Sequence, residues 1–224
     1  MTEHDVKFYG TLAAAIKLMK IGNSKFDGKL KKKKNDTIIF NMGSATDCPS
    51  KRLGLCQLDN CRNCYAYMAE LRFPKTLDYR RRQETMWKTT SAFVLAMAIA
   101  QRSHNKKIKF VRFNESGDLW DQDCVTKLCD IARMLPDLTF FGYTARRDLD
   151  LESRPDNLRV NGSGWSRGKM NKFIAVPEAS GNNPLCFSDC SVCNLCKIEA
   201  GLIIENELHG PAFNYRKRKK PAKK

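Results

Sequence analysis

Lys107–Tyr143 reads KIKFVRF NESGDLW DQDCVTKLCDIARM LPD LTFFGY, and its alternation decides the fold. Lys107–Phe113 has strand composition. Asp121–Met134 then carries Val125, Leu128, Ile131 and Ala132 at helical spacing, continued by Leu135. Leu138–Tyr143 returns to strand composition. A strand, a helix and a strand in succession imply parallel pairing, since only a parallel pair needs a crossover. Downstream, Asn157–Val160 and Lys172–Val176 read as further strands, followed by a helix near Ile198–Leu208. Upstream lie a short helix over Gly10–Met19, a strand at Thr37–Phe40, and a basic amphipathic helix or helix pair from Pro74 to Arg102. The expected fold is α/β: a partial (β/α) barrel-like single domain over residues 1–215 with cysteine-rich metal-binding loops. An open α/β sheet also fits, and either arrangement places sites at the carboxyl ends of the strands.

The 224 residues carry 40 Lys and Arg against 24 Asp and Glu, a net charge of +16. Such a surplus attracts polyanions, and nucleic acid, DNA or RNA, is the expected partner. Its candidate contacts are Lys31, Lys32, Lys33 and Lys34, then Arg80 and Arg81, then Arg216, Lys217, Arg218, Lys219 and Lys220 in a basic tail, 216–224, expected to be disordered. A membrane is the rival polyanion. The longest apolar run, Phe93–Ala100, falls well short of the roughly 20 residues a span requires. MTEHDVKFYG shows no signal peptide, so the expected location is a reducing cytoplasm, the host's if the chain is phage-encoded.

That location governs how the cysteines are read. Eight of the ten fall into two groups, Cys48, Cys56, Cys61 and Cys64, and Cys186, Cys190, Cys193 and Cys196. In a reducing compartment such tight spacing points to metal rather than disulfides. A Cys-x-x-Cys turn brings two thiolates to one ion, and four thiolates complete a zinc site or an iron–sulfur cluster. Three cysteines two residues apart crowd a single zinc, which favours a [4Fe–4S] cluster, with zinc as the alternative and His209 as a substitute zinc ligand. If all four cysteines of the first group bind, the site is closed and structural. If three bind, one iron stays open for a substrate or cofactor. Cys124 and Cys129 share no helix face well and read as small core residues.

Asn114-Glu115-Ser116-Gly117-Asp118 follows directly on the strand KIKFVRF, where α/β folds place their chemistry. Glu115 and Asp118 are candidate acid–base groups, although Asp118 also reads as a cap of the following helix. Arg146 is a candidate catalytic cation at the end of the next strand. Asn114, Ser116, Gly117 and Thr144 are candidate cofactor contacts. Asn161-Gly162-Ser163-Gly164-Trp165 reads as a turn, or as a close backbone approach with Trp165 as a stacking surface.

Gly22-Asn23-Ser24-Lys25, Cys48-Pro49, Cys61-Arg62-Asn63-Cys64-Tyr65-Ala66 and Glu115-Ser116-Gly117-Asp118-Leu119 together resemble the phage gene-product-eighty-eight family, sometimes labelled replication-associated. Arg72-Phe73-Pro74, Arg80-Arg81-Arg82, Thr144-x-Arg146 and the late cysteines follow in the expected order. That family looks distantly similar to radical S-adenosylmethionine enzymes, in which three cysteines hold a [4Fe–4S] cluster at the mouth of a partial barrel and the open iron binds the cofactor. The chain departs from that pattern by one extra residue between Cys56 and Cys61 and by the absence of a glycine-rich cofactor motif after the next strand. The resemblance implies an iron–sulfur protein acting on or beside nucleic acid, in modification or replication, with Cys56, Cys61 and Cys64 (or Cys48 for Cys56) at a catalytic cluster. A non-enzymatic nucleic-acid-binding replication protein with structural metals is the alternative. A third reading is a zinc-dependent base-exchanging enzyme relying on Asp118.

Overall fold

The computed structural model describes residues 3–22, 36–58, 64–104, 107–186 and 188–208. Cys61, Lys31–Lys34, His209 and the tail from Arg216 to Lys220 lie outside these residues.

Seven strands form one sheet in strictly sequential order: β1 (Lys20–Ile21), β2 (Thr37–Ile39), β3 (Phe110–Arg112), β4 (Thr139–Thr144), β5 (Leu158–Ser163), β6 (Lys172–Val176) and β7 (Ile203–Glu207). β1 runs antiparallel to β2, and every later pairing is parallel. β1 and β7 do not pair, so the sheet is open. The expected parallel α/β core is present.

The strands follow the period-2 rule. Ile38, Phe40, Val111, Phe113, Phe140, Leu158 and Val160 belong to the large core under the helices. Ile39 and Phe141, joined by Phe110 and Tyr143, belong to a small second cluster containing Cys196. The helical layer comprises α1 (Glu3–Leu18), α2 (Pro49–Arg52), α3 (Tyr65–Arg72), α4 (Pro74–Thr89), α5 (Ala92–Ser103) and α6 (Gln122–Met134), with α1 packed on α5 and α5 on α6. The Pro74–Arg102 region is therefore a helix pair, broken at Thr90 and restarted by Ser91, whose hydroxyl accepts from Val94 N. Cys124 and Cys129 are buried on α6, among the core residues.

Three expectations need correction. Among the described residues, helices fill the β2–β3 and β3–β4 connections, and β4 to β7 are joined without α-helix. The region around Ile198–Leu208 forms β7, not a helix. Gly201 turns the chain with φ 65°, and the β-branched pair Ile203-Ile204 extends alongside Lys172 and Phe173. Asp118 does not cap α6 either; Asp121 does, accepting from Cys124 N at 2.9 Å.

Candidate functional site

A cavity of about 230 Å³ opens at the carboxyl ends of the parallel strands. The loop after β2 contributes Ala45, Cys48, Ser50 and Cys56, and the start of α3 contributes Cys64 and Tyr65. Arg112 and Asn114–Asp118 enter from β3, and Tyr143–Ala145 from β4. Ser163, Phe173 and Ala175 line it from β5 and β6, and Cys186, Ser188 and Cys190 from the late cysteine segment. Five cysteines from two segments far apart in the chain thus face one space. Their separation in the sequence concealed this, because the two groups meet only through the sheet.

Three side chains fasten the loops, Glu70 and Asp118 buried and Gln57 half-buried. Glu70, on α3, accepts from Ala45 N (2.7 Å), Thr46 N (2.9 Å), Thr46 Oγ1 (2.7 Å), Ser116 Oγ (3.1 Å) and Arg80 Nη1 (2.8 Å). Asp118 accepts from Ser50 Oγ (2.5 Å), Leu119 N (2.7 Å) and Ala145 N (2.8 Å), tying the ends of β2, β3 and β4 together. Burial pushes its carboxyl up, against the hydrogen bonds from Ser50, Thr144 and the backbone that hold it down. Gln57 donates to Ser163 Oγ (2.9 Å) and Phe173 O (3.2 Å) and accepts from Ala175 N (3.1 Å), which lays the first cysteine segment across β5 and β6. Glu70 and Gln57 carried no sequence signal, since neither belongs to a motif and their partners lie far away in the chain.

The late segment rests on the sheet face opposite the helices. Asn161 Nδ2 donates to Cys196 O at 2.9 Å, and Asn171 Nδ2 to Leu195 O at 3.0 Å and Ile198 O at 2.7 Å. The buried Lys197 donates to Cys190 O at 3.3 Å, its ammonium 4.1 Å from the Phe110 ring centre.

Several candidate residues change role. Arg80 is buried and donates to Glu70 and to Ala66 O, so it is not available to a nucleic-acid phosphate. Arg81 stays half-exposed, paired with Asp47. Arg146 does not line the cavity; it is buried with its donors on Leu119 O, Trp120 O and Asp148. Asp118 lines the cavity as a tie between loops. Trp165 donates to Thr144 O at 2.9 Å and packs on the core, and the turn is tight enough that a Cβ at Gly162 would meet Trp165 O at 1.9 Å. Asn114, Glu115, Ser116, Gly117 and Thr144 all reach the cavity.

No disulfide links the nine described cysteines to one another. Burial and the neighbouring Asp118 carboxylate push the Cys48 thiol up to about 12. Among the described residues no three His, Cys, Asp or Glu side chains are grouped to hold a metal ion. The donor chemistry around the cavity, soft sulfur from both segments, suits zinc or an iron–sulfur cluster. No helix among the described residues is long and apolar enough to cross a membrane.

The family model of gene product 88 matches residues 16–186, more than half of the chain. The protein belongs to the gene product 88 family. Its match takes in the first cysteine group, β1 to β6 and every loop on the early side of the cavity, and it ends at Cys186. Cys190, Cys193 and Cys196 and strand β7 therefore lie beyond the match, so the resemblance is narrower than the motif order implied. No curated protein and no solved structure matches the chain.

Proposed function

We propose that this gene product 88 protein carries an iron–sulfur cluster at the cavity and acts on or beside nucleic acid in the host cytoplasm, as a radical-S-adenosylmethionine-like modifying or replication enzyme. One observation carries the reading: Cys48, Cys56 and Cys64 line the same cavity as Cys186 and Cys190, at the carboxyl ends of sequential parallel strands. Sequential parallel order is also what a partial (β/α) barrel requires, and carboxyl strand ends are where such folds place their sites. Cys56 and Cys64 with Cys61, or Cys48 in place of Cys56, would hold the cluster. Cys186, Cys190, Cys193 and Cys196 would hold a second, structural site. A cluster with an iron free of protein ligand supplies one-electron chemistry.

The chain's own residues prepare the space. The buried Arg112 guanidinium sets a positive charge beside Cys190 and offsets thiolate charge. Asp118 and Glu70 hold the strand-end loops in place. Phe173, Tyr143 and Ala175 keep much of the wall apolar. Each ligating thiol must lose its proton on metal binding, Cys48 included where it replaces Cys56, so metal affinity should fall at low pH.

The non-enzymatic alternative draws support from the net charge of +16 and from the engagement of Asp118 and Arg146 in structural hydrogen bonds. The same engagement weighs against the base-exchange reading, which needs Asp118 accessible. Anaerobic purification separates the two leading readings. The enzyme reading expects brown protein with iron and acid-labile sulfide, and reductive cleavage of S-adenosylmethionine after reconstitution. Colourless protein holding only stoichiometric zinc would sink it.

A further inference from the structure

Arg112 and Asn114 are the last strand residue of β3 and the second residue beyond it, both buried and both in the cavity wall. Arg112 Nε and both polar atoms of Asn114, Nδ2 and Oδ1, meet no hydrogen-bond partner among the described residues. Buried polar atoms left unpaired cost free energy, and such atoms cluster where a ligand completes them. Asn114 also holds φ at 50°, a left-handed conformation that few side chains adopt. An orphaned amide at a cavity wall is placed where a ligand would complete its hydrogen bonds.

The unmet valences narrow the ligand. Two are donors, Arg112 Nε and Asn114 Nδ2, and one is an acceptor, Asn114 Oδ1. A phosphodiester or ionised carboxylate offers only acceptors and leaves Oδ1 unmet. A planar heterocycle edge with an N–H beside an acceptor meets all three, in the pairing that Asn and Arg make with base edges. The remaining wall suits such a ring: Tyr143, Phe173 and Tyr65 supply aromatic surface. At about 230 Å³ the cavity has room for a base and none for a duplex, so a base would enter only after leaving the stack. We infer that Arg112 and Asn114 form a nucleobase-recognition subsite, so that the unit bound in the cavity is a single unstacked base. The inference rests on the proposed action on nucleic acid and names its substrate unit.

The test is calorimetric titration of the full chain with the common nucleosides, which carry no charge and so are blind to anion attraction, alongside inorganic phosphate. Saturable binding of at least one nucleoside is expected. Asn114→Gly should weaken it by roughly 10-fold or more, the scale of a lost base-edge pairing. Glycine tolerates the φ of Asn114, and the substitution removes unpaired polar atoms, so its thermal midpoint should not fall. Asn114→Asp, which exchanges the donor for an acceptor, should change which nucleoside binds best. Phosphate binding without nucleoside binding would overturn the subsite in favour of a plain anion site, and so would nucleoside affinity unchanged in Asn114→Gly. Iron and sulfide content, measured on the same preparation, keeps the two proposals apart. A cluster-bearing protein that binds no nucleoside defeats only the subsite, and nucleoside binding by a cluster-free protein defeats only the cluster.

Discussion

Glu70 and Arg80 illustrate how the same residue type changes meaning with burial. Arg80 and Arg81 are neighbours in sequence with identical chemistry, yet one is enclosed against Glu70 and the other half-exposed against Asp47. Removing one member of a buried pair strands a charge and costs about 3–5 kcal/mol, whereas exposed pairs contribute about 0–1 kcal/mol. Arg80→Ala should therefore lower the urea-unfolding free energy by several kcal/mol on that scale, and Arg81→Ala by less than about 1 kcal/mol. Glu70 adds a pH signature. Burial opposes its charge, but hydrogen bonds from Ala45, Thr46 and Arg80 prevail and hold its carboxyl below the ordinary value. A carboxyl depressed in the folded state stabilises above its unfolded pKa of about 4.3, and that contribution is lost as pH falls through the folded value. Wild-type protein should lose this stability below about pH 4. Glu70→Gln, weaker at neutral pH, should show a smaller further loss on acidification in the same unfolding series.

At the scale of elements, the strand-end loops are set by glycine as much as by carboxylates. Gly117 sits at φ 73°, and a Cβ there would meet the Gly43 carbonyl carbon at 2.6 Å. Gly168, at φ 55°, faces open space. Gly117→Ala thus combines backbone strain with a backbone clash and should cost about 2–4 kcal/mol. Gly168→Ala carries the strain alone, at about 1 kcal/mol. Thermal unfolding of the two variants ranks them, and equal losses would show that the Gly43–Gly117 approach is not a constraint. The elements also show where sequence periodicity is reliable. α6 and β4 were legible because α6 buries one regular face from Val125 to Ala132, and β4 is a short apolar run buried on both faces through Phe140 and Phe141. β7 was not, because Ile198 to Leu208 offers Ile, Leu and Glu residues that suit either state; pairing with β6 settles it.

For the whole molecule, the net charge of +16 predicts that the proposed association with nucleic acid is salt-dependent whichever face carries it. Affinity for a short single strand should fall on raising salt, with a log–log slope of about −0.7 per phosphate neutralised. Deleting 216–224 removes Arg216, Lys217, Arg218, Lys219, Lys220, Lys223 and Lys224. The slope should become shallower in that variant, as measured by fluorescence anisotropy across a salt series. An unchanged slope would place the contacts elsewhere on the chain.

The sequence by itself determined the parallel α/β core, the cysteine-rich segments and the place of Asn114–Asp118 at the end of a strand, because hydrophobic period and short-range spacing are local properties. It also determined family membership over residues 16–186. Only the tertiary structure decided that the two cysteine segments share one cavity, that Arg80, Asp118 and Arg146 serve the scaffold, and that Glu70 and Gln57 fasten the loops. It alone left Arg112 Nε and the Asn114 amide without partners among the described residues at the cavity wall. The reason is physical. A charged or polar side chain has its role set by which neighbours desolvate and pair it, and those neighbours arrive here from up to 118 residues away, as Gln57 and Ala175 do.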